Sequence, residues 1–95
     1  MPYRIDIYIG SDNGTRRIYD DYLNRVVKWA NGNFPDGYTL IRGQGCYRGV
    51  REDSLLINVI SNSDILLKER LYKLKQELGQ EAIMLVRTNV DLEMN

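Results

Sequence analysis

The order of its periodic segments constrains the fold of this 95-residue chain more than any other feature. Residues 3–9 alternate between apolar and polar side chains, which indicates a half-buried strand. Over 16–31, apolar residues recur every three or four positions, which predicts an amphipathic helix with Thr15 as its N-cap. The remaining segments follow in the order strand, strand, helix, strand, at 38–47, 54–60, 67–78 and 82–88.

This order in one short chain predicts an α+β fold of the ferredoxin-like βαββαβ type. We expect a single domain over 1–95, with a four-stranded antiparallel sheet and both helices on one of its faces. The second helix should begin at one of the N-cap residues between Ser61 and Asp64 and end before Gly79. Its apolar stripe consists of Leu67, Leu71, Leu74 and Leu78.

The sheet face opposite the helices should be largely polar in a monomer, but the sequence makes it mixed. Tyr8, Leu56 and Ile60 alternate with the core positions of their strands and therefore point to this face. We predict that these three residues form a subunit interface, and the alternative is that they are scattered surface residues. The formal net charge of zero leaves little repulsion between copies of the chain.

The composition excludes several classes of site. The chain has no histidine, which rules out Ser-His-Asp and Cys-His nucleophilic sites and histidine metal ligands. The single cysteine, Cys46, allows no internal disulfide and is expected to be buried or interfacial. Thirteen basic and thirteen acidic residues balance, so the basic field typical of nucleic-acid binding is missing. We expect a cytoplasmic protein without a metal, cofactor or membrane partner.

The strongest candidate for a ligand site is the glycine-rich strand and the connection after it. Glycines let a ligand approach the backbone N–H groups, guanidinium groups bind phosphate in a bidentate manner, and a tyrosine can stack on a base. The segment 43–49 lacks the last glycine of the dinucleotide fingerprint and the helix that should follow, which excludes a Rossmann site. The alternative is a bulged edge strand with solvated arginines. The predicted ligand-binding residues are Arg42, Gly43, Gln44, Gly45, Tyr47, Arg48, Arg51 and Glu52.

The residues from Arg48 to Glu52 are predicted to form a polar connection between two strands. Within this region, Glu52 and Asp53 lie beside Arg48 and Arg51 in the sequence. We expect solvent-exposed ion pairs between them, which contribute little to stability.

Short motifs at 34–40, 43–49, 51–57 and 78–83 resemble those of small PII-like proteins of the ferredoxin-like class. The chain is still more similar to an uncharacterised bacterial family of that fold. This resemblance implies a compact homo-oligomer, commonly a trimer, whose clefts between subunits bind small anionic ligands such as nucleotides, without catalysis. PII proteins carry a long mobile loop between the second and third strands, whereas 48–53 is short here. Their basic phosphate contacts are not matched one for one.

Together, these features predict a non-enzymatic, oligomeric protein that binds a small anionic metabolite, with a nucleotide as the leading candidate. It would act as a sensor or as a sponge that sequesters its ligand, and a trimer is favoured over a dimer. Two alternatives stay open: a dimeric α+β barrel enzyme acting on a small molecule, and a purely structural subunit. The oligomeric state distinguishes them, because a trimer with grooves favours the binding protein and a dimer around a cavity favours the enzyme.

Overall fold

A computed structural model describes residues 2–62 and 67–95. These residues form β1 (Tyr3–Gly10), α1 (Asp20–Asn33), β2 (Thr39–Tyr47), β3 (Val50–Ser61), α2 (Lys68–Leu78) and β4 (Met84–Asn89). The strands of this part of the chain make one antiparallel sheet in the order β2-β3-β1-β4. This order confirms the predicted ferredoxin-like plait. Within the described residues, neither helix has the length and hydrophobicity needed to cross a membrane.

The core lies between one face of this sheet and the two helices. The apolar residues of the two central strands are opposite one another and buried, as the pairs Ile5–Val59, Ile7–Ile57 and Ile9–Leu55. The predicted leucine stripe of the second helix is also buried, at Leu67, Leu71, Leu74 and Leu78. Each such side chain contributes roughly 1.5–3 kcal/mol when fully removed from water. The alternation of the strands and the helical stripe therefore determine which face of the sheet the helices cover.

The first helix begins later than predicted, at Asp20 and not at Arg16. Thr15 does not cap it, because the Thr15 hydroxyl accepts the N–H of Arg17 at 3.2 Å in a local turn. The physical reason is the helix dipole, which disfavours basic residues in a first turn and favours the acidic pair Asp20 and Asp21. As a result, residues 11–19 form a loop between β1 and α1.

The second helix ends as predicted. Gly79 adopts a left-handed conformation with φ of 68° and donates its N–H to the Gln76 carbonyl at 3.1 Å. At the other end, two of the predicted N-cap residues, Ser63 and Asp64, lie outside the described residues. The last strand begins two residues later than expected, at Met84.

The predicted polar connection from Arg48 to Glu52 is wrong, because β3 already begins at Val50. Tyr47 pairs with Val50, so only Arg48 and Gly49 link the two strands. Both linking residues have positive φ, 51° and 79°, which is typical of a type I′ hairpin turn. Glu52 consequently lies within a strand.

Candidate ligand-binding cleft

The loop 11–19 packs against the outer part of β3 through backbone hydrogen bonds. Asp53 donates its N–H to the Arg16 carbonyl at 3.0 Å, and its carboxylate accepts the N–H of Ile18 at 2.9 Å. Arg42 on β2 donates to the Ile18 carbonyl at 2.8 Å. The Ile18 side chain is buried, so it anchors the loop although it lies outside the helix. These contacts hold the loop next to the β2–β3 hairpin.

An Asx turn shapes the first half of this loop. The Asp12 carboxylate accepts the N–H groups of Gly14 and Thr15 at 2.8 and 3.0 Å. These hydrogen bonds, the one from Thr15 first, lower the pKa of Asp12 below its usual range. The Asp12 carbonyl also accepts the N–H of Arg16 at 2.8 Å. The turn thus leaves the side chains of the following arginines free to project from the loop.

Between the loop and the hairpin lies a cleft of about 500 Å³, which we call the arginine cleft. Its lining residues are Thr15, Arg16, Arg17, Gln44, Arg51, Glu52 and Asp53. Three of them are exposed arginines, and none of the three is in an ion pair within the described residues. Sequence reasoning had placed Arg16 and Arg17 in a helix and so missed their part in this cleft. An arginine pair that stands two residues before an acidic pair is the sequence signal that shifts the helix start and reveals them.

The two carboxylates of the arginine cleft bind the chain itself. Asp53 accepts the Ile18 N–H as described above, and Glu52 accepts the Ser11 hydroxyl at 3.4 Å. The predicted ion pairs of Glu52 and Asp53 with Arg48 and Arg51 are therefore wrong for the described residues. The reason is that both carboxylates are used to hold the loop.

A second, smaller cleft of about 260 Å³ adjoins the first and shares Arg16 and Glu52 with it. Tyr47 and Arg48 line it, with the Arg48 guanidinium 5.2 Å from the centre of the Tyr47 ring. Arg16 and Arg48 are also the two non-glycine residues of the described chain with positive φ, 60° and 51°. Such a conformation costs of order 1–3 kcal/mol and is found mostly at functional sites. Both strained residues line the same cleft.

The pleat of the hairpin divides the predicted site residues between its two sides. Gln44 lies on the same side as Arg42, opposite Asp53, and Arg51 lies opposite Cys46. Gly43 and Gly45 face the helix-free side of the sheet. The structure thus brings Gln44, Arg51 and Glu52 together in the arginine cleft, and Tyr47 and Arg48 in the adjoining one. Arg42 lines a separate depression beside the start of α1.

Neither Gly43 nor Gly45 is required by the conformation or packing of the chain itself. An added Cβ would lie 3.8 Å from the Ser54 hydroxyl at Gly43 and 3.9 Å from Glu52 at Gly45, both ordinary contacts. Neither residue has a positive φ, although glycine weakens a strand. Cys46, which follows Gly45 on β2, is exposed, so it is not buried within the chain, and its placement at an interface stays a prediction.

A hydrogen-bonded cluster behind the loop was not found from the sequence. Tyr22 on α1 donates its hydroxyl to the Gly10 carbonyl, and Gln80 donates to the Tyr22 hydroxyl at 3.0 Å. The same Gln80 amide group lies within hydrogen-bond distance of the Ser11 carbonyl, at 2.5 Å. Burial raises the pKa of Tyr22 to about 12, and the nearby carboxylates of Asp12 and Glu52 add to the shift. Gln80 thus ties the end of α2 to the beginning of the loop.

The predicted interface residues lie on the helix-free face of the sheet, but not in one row. Tyr8 and Leu56 are directly paired, and the same row continues to Ile41 on β2 and Met84 on β4. Tyr8 and Met84 are 42% and 57% exposed. We call these four residues the apolar row.

A polar row separates Ile60 from the apolar row. In it, the buried Asp6 accepts the Asn58 amide at 2.7 Å and pairs with Arg4 at 3.0 Å. Ile60 is opposite Arg4 and is 43% exposed. The polar row is satisfied within the chain, so it does not prevent the face from packing against another surface.

Comparison with known proteins agrees with the fold. The chain is similar in structure to a DUF3240 family protein from Shewanella baltica, with a TM-score of 0.57 over 98% of this chain and 94% of that chain. The sequence identity is 11%, so the likeness concerns the fold alone. That neighbour comes from an uncharacterised family. This agrees with the resemblance of the sequence motifs to an uncharacterised family of the ferredoxin-like fold. No family model and no curated protein matches the sequence.

Proposed function

We propose that the chain is a non-enzymatic, oligomeric protein that binds a small anionic metabolite, such as a nucleotide. The ligand's phosphate would lie in the arginine cleft, and its base would stack on Tyr47 in the adjoining cleft. The observation that carries this proposal is the presence of three exposed arginines around one cleft without an ion-pair partner in the described chain. The planar guanidinium group binds two negatively charged oxygens at once, so this setting favours a ligand with a phosphate or carboxylate group.

The backbone strain at Arg16 and Arg48 supports the same location. A loop free of functional constraint would relieve the positive φ of Arg16 by placing glycine or asparagine there. Strained residues of this kind cluster at functional sites, so the positive φ of Arg16 supports a role for its side chain in the arginine cleft. The PII-like resemblance agrees with this proposal, since it implies anionic ligands, and the ligand would then be sequestered or sensed without being changed.

Self-association is the second part of the proposal. Tyr8, Leu56 and Ile60 on the helix-free face would pack against other copies, with a trimer favoured over a dimer. The packing at Gly43 and Gly45 supports this arrangement, because the chain itself would accept a Cβ at both positions, whereas a neighbouring backbone or a ligand would need glycine there. The hairpin would then line a cleft between subunits.

Calorimetric titration of a panel of mono-, di- and cyclic nucleotides tests the ligand part. We expect Arg16→Ala and Arg51→Ala each to weaken binding by roughly tenfold to a hundredfold, since a charged hydrogen bond contributes ~1.5–3 kcal/mol. Arg48→Ala should have a smaller effect, because its guanidinium already lies on the Tyr47 ring. The matched control is Arg25→Ala, which removes an exposed arginine from α1 and should leave affinity unchanged.

The thermal midpoints of all variants must agree before their affinities are compared. If the wild-type protein binds no nucleotide of the panel, the nucleotide version is wrong. If binding persists unchanged in both Arg16→Ala and Arg51→Ala, the site lies elsewhere on the molecule.

Light scattering tests the oligomeric part. We expect a mass of three times the 11.1 kDa of the chain. Leu56→Arg should dissociate the oligomer by placing an unpaired charge in an apolar contact, whereas Asn24→Arg on the exposed side of α1 should not. A mass of 11.1 kDa at micromolar concentration would contradict the proposal, and a dimer would favour the barrel enzyme.

A further inference from the structure

The largest groove that we find in the described part of the molecule lies away from the arginine cleft, between α2 and the start of β4. It measures about 820 Å³. Its floor is apolar, formed by Leu71, Ala82, Ile83 and the ring of Tyr72. Tyr72 is 54% exposed and is held in place by the Gln76 amide at 3.1 Å and by the Lys75 ammonium 5.0 Å from the ring centre.

The rim of this groove is mainly basic. Lys68, Lys73 and Lys75 line it, against Glu69 and Glu81. An occupant that fits therefore carries apolar groups toward the floor and negative groups toward the lysines.

The segment 90–95, which follows β4, has this pattern. Val90, Leu92 and Met94 alternate with Asp91 and Glu93. In an extended segment, alternate side chains point to opposite sides, so the apolar and the acidic groups separate. Leu92 is 50% exposed and Met94 is 85% exposed, so their apolar surface is largely uncovered in the single chain.

The lengths also agree. The lysines at 68 and 75 are seven residues apart on a helix, or ~10.5 Å along its axis. The acidic residues Asp91 and Glu93 are two extended steps, or ~7 Å, apart, and the flexible four-carbon stems of the lysines cover the difference. One extended segment can therefore place its acidic groups beside the rim lysines.

We propose that segment 90–95 of one copy docks into the α2–β4 groove of a second copy. A segment of the same chain is less suited to the groove, because Val90 continues away from it with its N–H bonded to the Pro2 carbonyl at 3.2 Å. Turning back requires a β-turn of about four residues, which would take up the alternating stretch from Asp91 to Met94 itself. The segment contains no glycine or proline to favour that turn. A second copy supplies the whole segment.

Carbodiimide coupling of an equal mixture of heavy-isotope-labelled and unlabelled protein tests this proposal. The reagent joins carboxylates to amines in direct contact, and mass spectrometry of the linked peptides identifies their origin. We expect links from Asp91 or Glu93 to Lys68, Lys73 or Lys75, with labelled and unlabelled peptides joined in the statistical proportion. Leu92→Asp should reduce these links about tenfold or more, because it removes a buried apolar anchor. The matched control Leu92→Ile should keep them.

Links that join only peptides of the same isotope would overturn the proposal by showing that the segment folds back onto its own groove. The absence of any such link, with the lysines still modified by an amine reagent, would overturn it by assigning the groove to a different partner. Neither result depends on nucleotide binding, so the outcome is independent of the ligand part of the proposed function.

Discussion

The two halves of the β2–β3 hairpin differ sharply, although one continuous ladder of backbone pairs joins them. In the inner half, Leu55, Ile57 and Val59 are buried under the helices. In the outer half, every residue from Ile41 to Arg51 is exposed except Gly45. The inner half is held by packing, whereas the outer half is held by the ladder and by the loop 11–19. The outer half, whose strands carry arginines and glycines beyond the core, is where we propose that the ligand binds.

The largest expected effect is on the inner half. Ile57→Ala should reduce the free energy of unfolding by about 2–5 kcal/mol, because it leaves a cavity at a fully buried position. Gln44→Ala in the outer half should change it by less than about 0.5 kcal/mol. Urea denaturation at one fixed protein concentration measures both values. Equal losses would show that the outer half belongs to the core.

Alkaline pH should loosen the loop 11–19, which holds the outer half, because the Tyr22 hydroxyl binds the Gly10 carbonyl directly before that loop. Its pKa is raised to about 12 in the folded chain, from 10.0 in the unfolded one. The folded state therefore holds the phenolic proton more tightly. The stability that this provides is complete below pH 10, and between pH 10 and 12 it declines by about 1.4 kcal/mol for each pH unit.

The difference in unfolding free energy between the wild-type protein and Tyr22→Phe isolates this contribution. The difference should be constant from pH 7 to 9 and fall above pH 10. A difference that stays constant up to pH 12 would mean that the hydroxyl is not protected in the folded chain.

The turn of the hairpin should be sensitive to a single methyl group. Gly49 has φ of 79°, so Gly49→Ala should reduce stability by about 1–2 kcal/mol, since an L side chain is strained there. Chemical denaturation again gives the value, with Gly32→Ala as the control. Gly32 lies near the end of α1, has no positive φ, and an added Cβ meets nothing within 4 Å. A cost at Gly32 as large as at Gly49 would exclude backbone strain as the cause.

The smallest change in the free energy of unfolding is expected at Gly43, and it is an increase where the other changes are decreases. Gly43→Ala should stabilise the isolated chain by roughly 0.5 kcal/mol, because alanine fits the space and favours the strand more than glycine does. The informative measurement is made on the same variant by light scattering and ligand titration. A stabilised chain with weakened association or binding would show that glycine serves a contact outside the chain. If association and binding are unchanged, Gly43 makes no contact outside the chain, and β2 is a solvated edge strand at this position.

The central strands and the second helix could be predicted from the sequence because the apolar residues that recur periodically in them are also the residues that are buried. Ile5, Ile7 and Ile9 recur at every second position of β1, and Gly79 stops the second helix by local backbone chemistry. Such local signals also gave the correct element order. The apolar spacing alone does not locate the start of α1. Its prediction requires the helix dipole as well, which favours Asp20 over Arg16 in the first turn.

The arginine cleft could be predicted only in part. Gln44, Arg51 and Glu52 were identified from residue type, but the contribution of Arg16 depends on its carbonyl accepting the Asp53 N–H. That hydrogen bond joins segments far apart in sequence and leaves no periodic signal. The same holds for Gln80. Its amide lies within hydrogen-bond distance of the Ser11 carbonyl and the Tyr22 hydroxyl, both of which come much earlier in the sequence.

The position of β2 at the edge of the sheet has a consequence for the behaviour of the protein in concentrated solution. An open strand edge is a template on which the strands of other molecules can add, and this is a common start of aggregation. A chain of zero net charge has no long-range repulsion to oppose it. Protection must therefore be local, and Arg42, Gly43 and Gly45 provide it through charge and poor β-propensity. Three residues of the proposed ligand site therefore also keep this edge from recruiting misfolded chains.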